Sequence, residues 1–477
     1  MLSPFHAVGK VAPVTSAQVA DSPFGLGFEK LDRAVFNPEP AYDLVGATGV
    51  KWIRIQSGWA RTEKERGVYD FRWLDSIVDN LIARGLRPWI SLGFGNPLYD
   101  EEAAKWFGAV GCPPIHTPEQ RAAWCRYVTA LTEHFRDRVE YYEIWNEPEG
   151  KGFWKCGVNP VEYADLIMMT APAIRKGFKN ARIIGGGLRA RENDLLTFAD
   201  QVFRTDAVKM IDALTYHGYD IAEADISNKL YALRALVHSY NPAVELIQGE
   251  AGAQSRQDGC GALRQMQWTE ERQARFLARH LIKHLLDGVK FTSYFTSVDM
   301  VEAIHGHVGD VASRMDFGYF GVLGADFDAE GIATGNYTPK SSYRALQTLA
   351  AIFHGKWQLA DLPIFFLRTE VSPLRRRLDD SSEGLYTGGF RRDNGSAAFV
   401  YWKPTDLLAE TYQSSVSLEF AHLPAPVKLI RLKTGEVLGI PPEWDTEGAP
   451  GVKRLLHLPL LDEPMLLTFG DFIPSVG

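Results

Sequence analysis

The chain predicts a closed barrel of eight strand–helix units, a (β/α)8 TIM barrel, followed by an antiparallel β-sandwich. Three observations lead there. Short β-rich runs alternate with helical patterns over the first three quarters of the 477 residues. Eight such runs can be read. The helical patterning then stops near Ala351, and only alternating runs divided by turn-rich stretches remain. Strand–helix alternation implies parallel strands with right-handed crossovers, and eight units are what a closed barrel needs. The rival, a doubly wound open sheet, finds no GxGxxG after the first run.

The runs, in order, are FGLGF (24–28), VKWIRI (50–55), RPWISLGFG (87–95) and YYEIWNE (141–147), then ARIIGGG (181–187), IDALTYHGY (211–219), VELIQGE (244–250) and KFTSYFTSV (290–298). Between them, DFRWLDSIVDNLIARG at 70–85 spaces its apolar residues three or four apart, the period of a helix with one buried face. PEQRAAWCRYVTALTEHF at 118–135 begins with proline after Thr117, a hydroxyl able to cap the first turn. WTEERQARFLARHLIKHLLDG at 268–288 stops at a glycine, as helices commonly do. Past Ala351 come GLYTGGFRRD, SAAFVYWKP, SSVSLEF, VKLIRLKTGEVLGI and RLLHLPLLDEPMLLTFG, the pattern of a sandwich. The division expected is an N-terminal segment, residues 1–21, adding to the sandwich; a barrel over 22–353; and the sandwich itself over 354–477.

Bulk properties exclude several classes. Net charge is −8 with no long basic run, so nucleic acid is not an expected partner. No apolar run reaches membrane-spanning length. The N-terminus lacks a basic segment followed by an apolar stretch, and a cytoplasmic location is the expectation. Cys112, Cys125, Cys156 and Cys260 show neither CxxC pairing nor metal-ligand spacing. His305 and His307 have no further ligand at a recognisable interval, so neither metal nor cofactor is expected. The long stretch around them, 299–339, reads as a wall lining the substrate. Nothing in the sequence sets the oligomeric state.

Chemistry concentrates at the carboxyl ends of barrel strands, where the loops converge. The fourth run ends in Glu147 and the seventh in Glu250, so both reach one mouth. By strand alternation Tyr141, Glu143, Trp145 and Glu147 share an inward face, as do Leu246, Gln248 and Glu250. Glu143, deeper in the strand, is expected to pair with a cation such as Arg54; Glu149, past the proline, is expected in solvent. Two facing carboxyls suit glycosidic bond cleavage. One protonates the leaving oxygen while the other attacks the anomeric carbon or activates water, depending on their separation.

Trp-Asn-Glu-Pro at 145–148 resembles the strand-four motif of clan A retaining glycoside hydrolases, and GEAG at 249–252 matches their strand-seven nucleophile position. The stretch TPEQRAAWCRYVTALTEHFRDRVEYYEIWNEPEG is most similar to glycoside hydrolase family 39. The resemblance implies Glu147 as acid/base, Glu250 as nucleophile and Asn146 on the sugar 2-hydroxyl. It also implies Arg54 beside the nucleophile, with His217 and Tyr219 contacting nucleophile or substrate. Where the family carries a tryptophan floor on strand eight, this chain has Phe295, which points to a different sugar at the cleavage point. Trp59, Trp106, Trp154 and Trp268 follow strands and are candidates for stacking on sugars. The expectation is a retaining β-glycosidase acting on a carbohydrate substrate; a carbohydrate-binding pseudoenzyme or a transglycosylase with the same residues are the alternatives.

Overall fold

A computed structural model describes residues 5–189, 195–302, 306–310, 315–367, 384–409 and 411–473. Eight parallel strands close a barrel. They are β1 (Phe24–Gly27), β2 (Trp52–Gln56), β3 (Arg87–Leu92) and β4 (Tyr141–Ile144), followed by β5 (Arg182–Arg189), β6 (Ala213–His217), β7 (Glu245–Ala251) and β8 (Thr292–Tyr294). The helices that cover it start where the local chemistry dictates. Thr117 accepts from the Gln120 amide and the Gln120 side chain returns to the Thr117 amide, a reciprocal cap on helix Pro118–Phe135. Helix Glu270–Leu286 is capped by Thr269 and closes at Gly288, whose φ of +69° suits glycine. Among the described residues, no helix is long and apolar enough to cross a membrane.

Inside the barrel, each layer has its own character. The floor is apolar: Trp52, Trp89, Tyr141, Ile184, Ala213, Ile247 and Phe291 form one buried cluster, with Trp52 and Phe291 stacked at 4.3 Å. Two residues further along the same strands the lining turns charged, with Arg54 above Trp52 and Glu143 above Tyr141. That step of two is the strand period.

The period fails at two places, and both matter. Ile247 belongs to the floor, and a Cβ on Gly249 would meet the interior Thr215 side chain at 2.9 Å. The inward face of β7 is therefore 247 and 249; Leu246 packs in the barrel–helix core, so the shared inward face expected for Leu246, Gln248 and Glu250 is corrected. Glu250 regains the interior because β7 shifts register against both neighbours, a bulge that adds one residue and reverses the facing. On β4, pairing ends at Ile144, and Trp145 and Glu147 both take positive φ, +73° and +46°. Trp145 consequently packs away from the mouth, edge-on to Trp124 and Trp154, rather than inward.

Beyond helix Ser341–Phe353 the chain forms two antiparallel sheets, one of seven strands and one of four. Ala7–Lys10 joins the larger sheet through Glu436–Leu438. Leu418, Phe420, Leu429, Leu458 and Leu467 fill the space between the sheets. The sandwich meets the barrel on helix Glu270–Leu286, where buried Arg275 pairs with Asp462 at 2.6 Å.

Candidate active site

The end of β4 is held from both sides. The Trp145 amide donates to Leu92 O of β3 at 3.1 Å, and the Glu147 amide donates to Gly187 O of β5 at 3.0 Å. The second bond needs close approach: a Cβ on Gly187 would lie 3.3 Å from the Glu147 nitrogen, and Gly187 itself has a φ of +63°. A left-handed backbone at a non-glycine residue costs energy and persists only where its surroundings impose it. Here it turns the Glu147 carboxyl into the barrel mouth.

Arg54 is the hub below. Fully buried, it donates to Glu143 Oε2, Glu250 Oε2 and Asn146 Oδ1, each at 2.8 Å, and approaches Glu29 Oε1 at 3.4 Å. Burial opposes its charge, but Glu143, Glu250 and Glu29 together outweigh this and raise its pKa further. Burial likewise works against ionised Glu250, yet His217, Arg54, the Tyr219 hydroxyl and Lys30 hold its carboxyl below the usual range. Glu29 takes the opposite course: burial pushes it up to about 7 despite Arg54. His217 Nδ1 lies 2.9 Å from Glu147 Oε1 and 3.8 Å from Glu250 Oε2. Burial disfavours its imidazolium, but Glu250 and Glu147 prevail and raise its pKa.

The decisive distance is between the two glutamates. One carboxylate oxygen of each, together with a His217 ring nitrogen, all lie within 4.8 Å of one another. These three donors have the spacing of a cation site. Positive charge already reaches them from Arg54 on Glu250 and from Arg189, whose Nε is 3.5 Å from Glu147 Oε2. His307 stacks on Trp106 at 4.3 Å; His305 lies outside the described residues.

A cavity of about 460 Å³ opens above this pair, within the range of small-molecule sites. Asn146, Glu147, His217, Tyr219, Glu250 and Phe295 all line it. Phe295 and Phe320 meet at 5.3 Å, and the Lys30 ammonium stands 5.3 Å from the Phe295 ring. Lys30 also pairs with Glu302 at 3.1 Å. Glu302 and Phe320 belong to the 299–339 stretch expected to line the substrate.

Three expected stacking residues are corrected. Trp59, Trp154 and Trp268 are at most 1% exposed and do not line the cavity. Trp59 is sandwiched between Tyr99 and Tyr127, Trp154 sits edge-on to Trp145 and Tyr163, and the Trp268 indole N–H donates to Leu263 O at 2.8 Å. Trp106 is similarly occupied, by His307 on one hand and Lys155 on the other. Each is a strut for a loop. Glu149 is a further correction. Instead of lying in solvent, its Oε1 accepts the Arg189 amide and its Oε2 is buried. Burial, then Glu147, pushes its carboxyl up to about 7. Glu29, Lys30, Arg189 and Glu302 were not singled out by sequence; only the strand-end position of Glu29 and Lys30 hinted at them.

A barrel whose mouth presents two glutamates this close, one beside a buried arginine, has the arrangement used by retaining glycosidases. The model of glycosyl hydrolases family 39 matches residues 47–352, and the chain belongs to that family. A β-xylosidase of Geobacillus stearothermophilus is 28% identical over 139 residues, 27% of this chain and 26% of the relative. A β-xylosidase of Caldicellulosiruptor saccharolyticus is 28% identical over 197 residues, 38% of this chain and 39% of the relative. The matched stretches thus span well under half of these relatives. Among solved structures, a family 39 glycoside hydrolase of Bacteroides cellulosilyticus WH2 has a TM-score of 0.66 at 17% identity, covering 96% of this chain and 83% of that one. A GH39 β-xylosidase of Caulobacter crescentus gives 0.57 at 18% identity, covering 97% and 98%. At such identities the likeness concerns the fold.

Proposed function

We propose that this chain is a retaining β-glycosidase working by double displacement, with Glu250 as nucleophile and Glu147 as acid/base. The observation that carries this is the approach of one oxygen of each carboxylate to within 4.8 Å. Oxygens that close suit direct attack, for which the two carboxyl groups stand roughly 5–5.5 Å apart. In the first step a Glu250 oxygen bonds to the anomeric carbon while the glycosidic C–O bond breaks, and the Glu147 proton passes to the leaving oxygen. In the second, water gives a proton to Glu147 and attacks the same carbon, releasing the Glu250 carboxylate. Arg54 and Tyr219 on the Glu250 oxygens favour the ionised nucleophile needed at the start. Asn146, whose Oδ1 accepts from Arg54, is the group we assign to the sugar 2-hydroxyl.

β-Xylosides are the first substrates proposed, because two curated relatives are β-xylosidases. Phe295 and the Lys30–Glu302 pair then set the fit of the sugar's far edge. The test is hydrolysis of a panel of activated aryl β-glycosides. Turnover of the xyloside, with Glu147→Ala slowed and rescued by azide as a β-glycosyl azide, is the expected result. Equal rates for Glu147→Ala and the unsubstituted protein would refute the assignment.

A further inference from the structure

Among the charged groups around the mouth that take no part in the steps above are Arg189 at the end of β5 and Glu149 just past the Trp-Asn-Glu-Pro turn. Three features tie them to the acid/base. The Arg189 side chain lines the cavity and brings Nε to 3.5 Å from Glu147 Oε2, the oxygen not facing His217. The Arg189 amide is tied to Glu149 Oε1, so the residue carrying the guanidinium is anchored two residues beyond Glu147. Gly150 leaves room for the guanidinium: a Cβ there would lie 2.7 Å from Arg189 Nη1.

We infer that Arg189, anchored by Glu149 and admitted by Gly150, is a positioning residue that sets the orientation of Glu147 towards the leaving oxygen. The inference rests on the retaining-glycosidase reading. Glu147 then has a fixed contact for each oxygen, His217 for one and Arg189 for the other. Among the described residues, the other ionisable groups facing it include Glu250 across the gap, Glu149 behind it and Tyr219. The buried Oε2 of Glu149, which has no hydrogen-bond partner among the described residues, fits a carboxyl kept for its anchoring oxygen.

The test compares Arg189→Met, Arg189→Lys, Gly150→Ala and Glu149→Leu using aryl β-glycosides of graded leaving-group acidity. Removing the guanidinium frees one oxygen of Glu147, so its proton is less well aimed at the leaving oxygen. Arg189→Met is expected to lower kcat more than it changes KM. It should slow poor leaving groups about tenfold and leave a dinitrophenyl glycoside within about twofold, a steeper leaving-group dependence. Arg189→Lys should restore the leaving-group slope, and Gly150→Ala, which keeps every charge but displaces the guanidinium, should follow Arg189→Met in direction, as should Glu149→Leu. A purely structural role would lower all rates together and leave the leaving-group slope in place. If Arg189→Met and Gly150→Ala keep the original slope, the inference is overturned. If the unsubstituted protein hydrolyses none of the glycosides, it is the underlying glycosidase reading that fails.

Discussion

The floor and the mouth of this barrel are built from the same strands and obey opposite rules. On β2, Trp52 packs the floor and Arg54, two residues on, holds three carboxylates. On β4, Tyr141 belongs to the floor and Glu143 to the network. The floor is held by apolar contact, which is non-directional and tolerant of exchange in shape. The mouth is held by buried charge, in which removing one member strands the others. The layers touch where the Arg54 guanidinium lies 5.6 Å from the Trp89 ring, so the aromatic floor is the base on which the charged hub rests. Both layers hold the fold together, but only the upper one faces the cavity.

This contrast can be broken from either side. The largest effect is expected at the mouth: Glu250→Ala should cost on the order of 10⁴ or more in kcat. Glu147→Ala should cost about 10²–10⁴, less for good leaving groups. Arg54→Leu should damage both properties. It leaves Glu143 and Glu250 buried without their cation, so a loss of about 3–5 kcal/mol in denaturant unfolding is expected together with near-abolished turnover. The floor should behave differently. Phe291→Ala, which empties the centre of the aromatic cluster, is expected to cost roughly 3–5 kcal/mol of stability while the folded fraction retains most of its kcat. Phe291→Ala abolishing turnover in fully folded protein would end the division into layers.

A smaller effect comes from acid. His280 and His284 are buried on helix Glu270–Leu286, and burial lowers both, His280 to about 4 and His284 well below its ordinary value. The folded chain keeps them neutral, whereas the unfolded chain takes up protons once pH falls below about 6.5. Stability should therefore drop as pH falls from about 6.5 towards 4, by up to about 3 kcal/mol for His280. Urea midpoints read across that window check it, and His284→Gln should flatten the slope.

What the sequence disclosed depended on how local the cause was. Helix Pro118–Phe135 was legible because its cap, Thr117 with Gln120, lies within four residues. The pair Glu147 and Glu250 was legible because strand ends fall at one mouth whatever the helices do between them. The facing at the end of β4 and along β7 was not. The bulge that returns Glu250 to the interior, and the positive φ at Trp145 and Glu147, are imposed by neighbouring strands. Strict alternation placed Glu250 inward by assuming a regular strand that does not exist. Trp59, Trp154 and Trp268 misled for a related reason: a tryptophan in a loop reports a large apolar surface to cover, not which side covers it. The Lys30–Glu302 pair joins residues at opposite ends of the barrel sequence, and no periodicity links them.

The central claim is that Glu250 bonds covalently to the sugar with Glu147 opposite. The most direct measurement is to incubate the protein with a dinitrophenyl 2-deoxy-2-fluoro-β-xyloside, then record intact mass and digest for peptide sequencing. One fluoroglycosyl unit on Glu250, with loss of activity in step with labelling, is the predicted result. A turned-over xyloside that leaves no label, or a label on another residue, would contradict the account.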